Sequence, residues 1–108
     1  MKSALVACLL LLACCGGDDE ASPAEQACLD TADAFGDLCV RCSVDSYDNC
    51  HRAIEDAVKG DCSNTVSIKN QEELYGQCIP FFENVACSEV TSSSFMLDPS
   101  CVGQLQHR

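Results

Sequence analysis

The chain has 108 residues, a formal net charge of −11, no tryptophan and only 6% aromatic residues. This charge argues against a nucleic-acid partner, because proteins that bind phosphate backbones carry basic patches, and against contact of the domain itself with anionic lipid. The length predicts one small domain, and the few aromatic residues predict a thin core of the kind that needs covalent cross-links.

The N-terminus has the layout of an export signal. Lys2 supplies a positive start, and residues 4–13 form an apolar stretch that is shorter than the roughly 20 residues of a membrane-spanning helix. Two cysteines and an acidic, glycine-rich segment follow. We therefore predict a signal peptide over residues 1–13 and a flexible tether over residues 14–21.

The junction between the two reads Leu11-Leu12-Ala13-Cys14 and resembles a bacterial lipobox, at which a signal peptidase cuts before a cysteine that carries diacylglycerol. The resemblance implies that residues 1–13 are a lipoprotein signal peptide and that Cys14 is lipidated, with palmitate or a similar acyl group. Acyl chains at Cys14 would anchor the mature chain to a membrane. The alternative is ordinary secretion, with cleavage between Ala13 and Gly17 and no lipid.

Residues 22–108 are predicted to form one cysteine-rich helical domain. Ser22, Pro23 and Glu25 have the order of a helix N-terminus, with a capping residue, a proline at the first helical position and a capping box. Apolar residues then recur at helical spacing. The first helix is therefore predicted over residues 23–42.

Two further helices are predicted along the chain. The second covers residues 47–59 and has Gly60 as its C-terminal cap. The third covers residues 71–84 and begins after Asn70. Pro80 is expected to kink or break this helix, because a proline inside a helix costs about 3 kcal/mol.

The segments outside the predicted helices are short. Residues 63–69 alternate apolar and polar side chains, which is compatible with a short extended piece. Residues 88–98 are predicted to be mostly loop with a helical turn, and the chain ends in a polar tail. The predicted fold is therefore mainly α, a small bundle of three to four short helices stapled by disulfides.

The cysteine count predicts four disulfides. Of the 11 cysteines, Cys8 lies in the signal peptide, and Cys14 and Cys15 lie at its junction with the tether. An even number remains in the domain, as expected of an exported protein: Cys28, Cys39, Cys42, Cys50, Cys62, Cys78, Cys87 and Cys101. Eight cysteines allow roughly a hundred pairings, and the sequence does not choose among them.

Cys39 and Cys42 form a CxxC motif, which in other contexts is a redox-active dithiol or half of a zinc site. A reactive dithiol usually lies at a helix N-terminus, whereas this pair falls at a predicted C-terminal end, where the helix dipole has the opposite sign. A zinc site would add Cys50 and His51, but neighbours on a helix point about 100° apart. Two structural disulfides to other elements are the preferred interpretation, and a thiol–disulfide or metal-binding function of the pair stays an alternative.

The sequence favours a non-catalytic binding or structural role, and no catalytic residue, metal or cofactor is predicted. The many acidic side chains are interpreted as a solvated surface. An enzyme would need a cleft with convergent polar groups, of which the sequence gives no sign. The main alternative is a carrier of a small ligand or lipid, which predicts an apolar cavity between the helices lined by Phe35, Ile54, Tyr75, Ile79 and Phe82.

The whole chain resembles the small cysteine-rich lipoproteins of myxobacteria and related bacteria. The likeness rests on the lipobox, the sequence ACCGGDD, the spaced cysteines, and a late block in which CIPFFENVAC, a serine-rich loop and DPSC follow one another. It implies location and architecture, namely a protein held in the bacterial cell envelope by its N-terminal lipid. Among the site residues it carries over only Cys14. We expect any protein partner to be another component of the envelope.

Overall fold

Three helical segments and a two-stranded sheet make up the part of the chain that the computed structural model describes, residues 21–90 and 98–108. Helix α1 spans Pro23–Arg41 and α2 spans Tyr47–Asp56. The third helical segment consists of α3 (Gln71–Glu73), a π-helical stretch (Leu74–Cys78) and α4 (Ile79–Asn84). The prediction of a mainly helical fold stapled by disulfides is confirmed.

Side-chain caps fix where the helical segments begin. The Ser22 hydroxyl accepts a hydrogen bond from the backbone N–H of Glu25 (3.1 Å), and the Asn70 side-chain oxygen accepts one from Glu73 (3.0 Å). Both starts agree with the prediction, and α2 has the same arrangement at Ser46. Each bond satisfies a backbone N–H that the helix itself cannot, and replacing such a cap by alanine typically costs about 1 kcal/mol.

Helix α2 is shorter than the predicted range of residues 47–59, because its regular hydrogen bonding ends at Asp56. The backbone N–H of Gly60 donates to the carbonyl of Glu55 (2.8 Å), which closes the helix end. Lys59 and Gly60 both have left-handed backbones, with φ of 62° and 92°. A left-handed residue cannot continue a right-handed helix, so Gly60 belongs to the cap, as predicted.

The predicted interruption at Pro80 takes the form of a widened helical turn. The backbone N–H of Ile79 donates to the carbonyl of Leu74, five residues back, instead of the usual four. Pro80 has no N–H, and in a regular α-helix its ring would collide with the carbonyl of Gly76. The π-helical stretch before the proline avoids this collision, and α4 continues beyond it.

Two 3-10 turns complete the helical part. Cys62–Asn64 leads into the first strand, and Cys87–Glu89 follows α4. The second turn overlaps the start of the loop predicted over residues 88–98, within which a helical turn was predicted. Residues 91–97 of that loop lie outside the described residues.

The two strands, β1 (Thr65–Ile68) and β2 (Leu105–His107), pair antiparallel. The extended piece predicted within residues 63–69 is therefore confirmed, whereas the strand in the polar tail was not predicted. The backbone carbonyl of Gln104 prolongs the contact by accepting the N–H of Lys69 (2.9 Å). Strand pairing is made by backbone N–H and C=O groups. A short segment with mostly polar side chains therefore carries little sequence signal for a strand.

The core lies between one face of α1 and the elements that pack on it, which are α2, the third helical segment and β1. Its fully buried side chains include Leu38 of α1, Val58 just after α2 and Leu74 of the π-helical stretch. The rings of Phe35 and Phe82 lie 5.4 Å apart between centroids. Burying one such side chain is worth about 1.5–3 kcal/mol, so these few positions supply much of the hydrophobic stabilisation.

Gly36 allows α1 and the Tyr47 ring at the start of α2 to approach closely. A Cβ atom at position 36 would lie 2.6 Å from Cδ2 of the Tyr47 ring, so the ring would have to move. We expect Gly36→Ala to lower the free energy of unfolding by about 1–3 kcal/mol, because overpacking outweighs the higher helix propensity of alanine. Urea-induced unfolding followed by circular dichroism measures the change.

The control for Gly36→Ala is the same substitution in a Tyr47→Ala background. Without the ring, the atoms nearest to a Cβ at position 36 are removed, and alanine should raise the stability by up to about 1 kcal/mol through helix propensity. An equal loss in both backgrounds would contradict the close approach as the reason for the glycine.

Candidate functional site

The eight domain cysteines form four disulfides, as the sequence predicts. The structure supplies the pairing that the sequence left open: Cys28–Cys62, Cys39–Cys50, Cys42–Cys87 and Cys78–Cys101. Disulfides at this density persist where thiols are not kept reduced by the cytosolic reductants. They therefore indicate an extracytoplasmic, oxidising environment.

The CxxC motif is not a dithiol in this fold. Cys39 bonds to Cys50 on α2, and Cys42 bonds to Cys87 beyond α4. The two sulfurs of the motif thus reach different elements, as the preferred interpretation of the sequence expected. The zinc set with His51 loses its ligands as well, because a cysteine in a disulfide has no thiolate to offer.

Arg41, which lies inside the CxxC motif, connects the end of α1 to the end of α4. Its Nη1 donates to the backbone carbonyl of Val85 and its Nη2 to that of Phe82, each at 3.1 Å. The last carbonyls of a helix have no partner within the helix, so a basic side chain there satisfies them. The motif is therefore a structural contact between three elements of the domain.

A cavity of about 290 Å³ lies between the helices and the C-terminal segment. Leu74, Cys78 and Phe82 of the third helical segment line it and are almost fully buried. Its exposed lining residues are Ala57, just after α2, and Gly103, just before β2. Ala57 and Gly103 therefore lie at the solvent-facing edge of the cavity.

Gln104 is a buried polar residue of the cavity wall, with 1% of its surface exposed. Its Nε2 donates to Oε1 of Glu73 (2.8 Å) and to the carbonyl of Ser100 (2.9 Å), and its Oε1 accepts from the backbone N–H of Asn70 (2.8 Å). These bonds join the C-terminal segment to the start of the third helical segment. Sequence reasoning missed Gln104, because an isolated glutamine in a polar stretch has no periodic signature.

Of the five residues predicted to line an apolar cavity, the structure places Ile54 and Phe82 in its wall. Phe35 packs in the core against Phe82 instead. Tyr75 and Ile79 lie at a shallow groove on the outer side of α1. The side chain of Tyr75 points outward, because its hydroxyl needs a polar hydrogen-bond partner and the groove supplies one.

The shallow groove is strongly acidic. It is lined by the carboxylates of Asp30, Asp33, Asp37 and Glu83, together with the ring of Tyr75. The Tyr75 hydroxyl donates to Oδ2 of Asp30 (2.6 Å), which connects the third helical segment to α1. No basic side chain is among its lining residues, so the groove is a negatively charged surface.

His51 of α2 lies near the groove, between two carboxylates. Its Nε2 is 3.2 Å from Oδ1 of Asp33, and its Nδ1 is 3.5 Å from Oε1 of Glu55. The Tyr47 hydroxyl donates to the same oxygen of Asp33 (2.5 Å), and its ring centroid lies 5.5 Å from that of the imidazole. The two contacts with Asp33 join α2 to α1.

Both tyrosines are expected to ionise well above their usual pH. The hydrogen bond to Asp33, followed by burial and nearby carboxylate charge, raises the pKa of Tyr47 to about 12. Burial, followed by the hydrogen bond to Asp30 and its charge, raises the pKa of Tyr75 to about 12. Because the folded pKa lies above the unfolded value of about 10, these contacts stabilise the fold fully below pH 10 and lose this contribution as the pH rises from about 10 to 12.

Tyrosinate absorbance tests this prediction directly, since the chain has two tyrosines and no tryptophan. Asp33→Asn should lower the pKa of Tyr47 toward 10 and leave Tyr75 unchanged, and Asp30→Asn should do the reverse. Asp56→Asn is the control, because this exposed residue contributes to neither pKa. Ionisation of both tyrosines near pH 10 in the unmodified chain would contradict these hydrogen bonds.

Within residues 21–90 and 98–108, no group of three or more histidine, cysteine or acidic side chains is placed to hold a metal ion. No helix in these same two ranges has the length and apolar character that a membrane span requires. The predicted signal peptide over residues 1–13 and the predicted lipidation site Cys14 lie outside the described residues. Comparison with protein-family models, with curated proteins and with solved structures gives no match for this chain.

Proposed function

We propose that the chain is an exported lipoprotein of the bacterial cell envelope, whose helical domain has a non-catalytic binding or structural role. The observation that carries the proposal is the set of four disulfides. Three of them join α1 or the residue that follows it to other elements, and the fourth joins the third helical segment to the C-terminal segment. Such cross-linking suits a domain that works outside the cytoplasm.

The proposed lipid anchor is supported by the lipobox-like sequence that ends at Cys14 and by its distance from the fold. Helix α1 begins at Pro23, so residues 14–22 separate the proposed lipid from the helical domain. At roughly 3.5 Å per residue, this tether reaches at most about 30 Å. That length exceeds the Debye length of about 8 Å, so the acidic domain can stay near the membrane without contacting anionic lipid.

The non-catalytic character of the proposed role is supported by the way in which the reactive side chains are used. All eight domain cysteines are in disulfides. The hydroxyls of Tyr47 and Tyr75 and the imidazole of His51 contact carboxylates that connect neighbouring elements. These groups hold the fold together and leave its acidic groove and its cavity for contact with other molecules.

Intact mass spectrometry of the full chain, made in a bacterium that processes lipoproteins, tests the proposal. We expect a chain that starts at Cys14, is heavier by its acyl groups, and has no domain thiol open to alkylation before reduction. Cys14→Ser should abolish acylation, whereas the matched variant Cys15→Ser should leave it unchanged. A lipid-free chain would overturn the anchor and leave an ordinary secreted protein. Free thiols at Cys39 and Cys42 would overturn the structural role of the disulfides and favour a redox or metal function.

A second candidate function, a carrier of a small ligand, is favoured by the cavity between the helices. Its volume of about 290 Å³ is close to the lower end of small-molecule sites, which measure about 300–1,000 Å³. A lipid with long acyl chains has more atoms than this space accommodates, so the candidate ligand is a small molecule. Binding of a small apolar probe to the full chain tests this function.

A further inference from the structure

The polar side chains of the cavity wall restrict what the cavity can hold. The hydroxyl of Thr31 donates its hydrogen to the carbonyl of Ala27 (2.8 Å). Both hydrogens of Gln104 Nε2 are donated as well, to Glu73 and to the carbonyl of Ser100. The polar side chains among the lining residues therefore offer a ligand oxygen lone pairs but no free hydrogen.

Thr31 is the side chain of the cavity wall that keeps the most hydrogen-bond acceptor capacity. The Oε1 atom of Gln104 accepts the backbone N–H of Asn70 (2.8 Å) and keeps one lone pair, whereas the bond from Thr31 uses only its hydrogen and leaves both lone pairs of Oγ1. Thr31 is 4% exposed and lines the cavity, so a donor that binds it lies against the buried side of the cavity wall. A hydrogen bond to a partly buried acceptor is electrostatically stronger than one to a fully exposed acceptor.

The volume and the apolar wall limit the rest of the ligand. A cavity of about 150 Å³ accommodates benzene, so about 290 Å³ accommodates a molecule of roughly ten non-hydrogen atoms. Leu74, Phe82 and Leu105 surround this space with apolar surface. The lining has no basic side chain, and burying a charge without a partner costs several kcal/mol, which disfavours carboxylates and phosphates.

We propose that the cavity binds a small, uncharged, mainly apolar molecule with one N–H or O–H group, of the class of phenols and indoles. The apolar part fills the space between the third helical segment and the C-terminal segment, and the donor binds Oγ1 of Thr31. This assignment rests on the carrier role, the second candidate function, and names its ligand class.

Indole is the probe for the test, because the protein has no tryptophan and the fluorescence of the probe reports its binding. We expect the full, disulfide-bonded chain to bind indole, and to bind N-methylindole, which lacks the donor, about tenfold more weakly. Thr31→Val removes the acceptor at nearly constant volume. It should weaken the binding of indole by a similar factor and leave that of N-methylindole unchanged.

A pair of exposed alanines supplies the control for the place of binding. Ala57→Phe adds a ring at the solvent-facing edge of the cavity and should abolish binding. The indole that this variant still takes up measures the amount dissolved in detergent or lipid. Ala53→Phe adds the same ring to an exposed position of α2 that does not line the cavity, and it should bind as the unmodified chain does.

The outcomes separate the ligand class from the carrier role. Equal binding of indole and N-methylindole, both blocked by Ala57→Phe, would overturn the donor requirement and keep the carrier role. Preferential binding of a short carboxylate such as hexanoate would overturn the ligand class alone. If the unmodified chain takes up no more indole than Ala57→Phe does, and binds neither N-methylindole nor hexanoate, both the ligand class and the carrier role would be overturned. The proposed lipid anchor is tested separately, by the mass of the chain.

Discussion

Replacing Cys28 and Cys62 together by alanine is expected to lower the free energy of unfolding by about 4 kcal/mol. The bridge joins residues 34 positions apart, and the entropy that this loop removes from the unfolded chain accounts for most of the effect. Both cysteines are also in the core, with 0% and 1% of their surface exposed, so their truncation leaves unfilled space. Denaturant-induced unfolding followed by circular dichroism measures the change.

The bridge between Cys42 and Cys87 provides the matched comparison. It joins residues 45 positions apart, and its longer loop alone would make it slightly the more stabilising of the two. Cys87 is exposed, however, and Cys42 is only partly buried against the core, so truncating this bridge leaves less unfilled space. We expect the loss of Cys28–Cys62 to cost more. The reverse order would show that loop entropy decides the effect and that burial of the sulfurs adds little.

Reduction of all four disulfides is expected to unfold the domain at 25 °C. Each bridge contributes about 2–4 kcal/mol, and the whole stability of a small domain is only about 5–15 kcal/mol. Loss of the helical circular dichroism signal on addition of a thiol reductant, without denaturant, measures this. A reduced chain that keeps its helices would contradict the dependence of the fold on an oxidising environment.

The helices were predictable because their signals are local. A cap such as Ser22 or Asn70 acts within three residues, and Pro80 excludes a backbone bond at its own position, so all three are visible in the sequence. The predicted end of α2, at residue 59, is too late, because the local signal used there was misleading. Val58 continues the apolar spacing of the helix, although the chain has already left the helix at Asp56.

The disulfide pairing was not predictable, because it depends on tertiary contacts. Cys39 and Cys42 lie near the same end of α1, yet one reaches α2 and the other reaches the turn after α4. Their partners are fixed by how these elements pack on α1, which no local pattern specifies. The strand β2 escaped prediction for the same reason, since its three residues are ordered by backbone pairing with β1.

The candidate site was predictable only in outline. The helical spacing correctly predicted that the side chains of Ile54 and Phe82 point into the domain. Spacing alone does not predict whether such a side chain packs in the core or lines a cavity. Phe35 fills the core, and Tyr75 turns outward to an acidic partner. Part of the remaining wall comes from the C-terminal segment around Gln104, whose sequence has no helical or strand periodicity.

Replacing Gln104 by leucine is expected to lower the free energy of unfolding by about 2–3 kcal/mol. Leucine makes none of the three hydrogen bonds, so it leaves the backbone N–H of Asn70 and the carbonyl of Ser100 without this partner. Glu73 loses a donor too, although its partly exposed carboxylate can turn to water. Denaturant-induced unfolding at neutral pH measures the loss.

Gln106→Leu is the matched control for this substitution. Gln106 is exposed, and its Oε1 accepts one hydrogen bond from the hydroxyl of Ser67 (2.8 Å). Water can replace that bond, so the change in stability should stay within about 0.5 kcal/mol. Equal losses at the two glutamines would attribute the effect to their common segment and not to the buried hydrogen bonds of one of them.

Gln104→Glu separates the shape of the side chain from its hydrogen bonding. Glutamate has nearly the same shape, but it places a second carboxyl beside that of Glu73. When one of the two is protonated they can share a hydrogen, and when both are ionised they repel each other. The variant should therefore lie closer to the unmodified chain at about pH 4 than at about pH 7, because stability is lost as both carboxyls ionise. A loss that does not change with pH would mean that the cavity wall is not joined to the third helical segment through this contact.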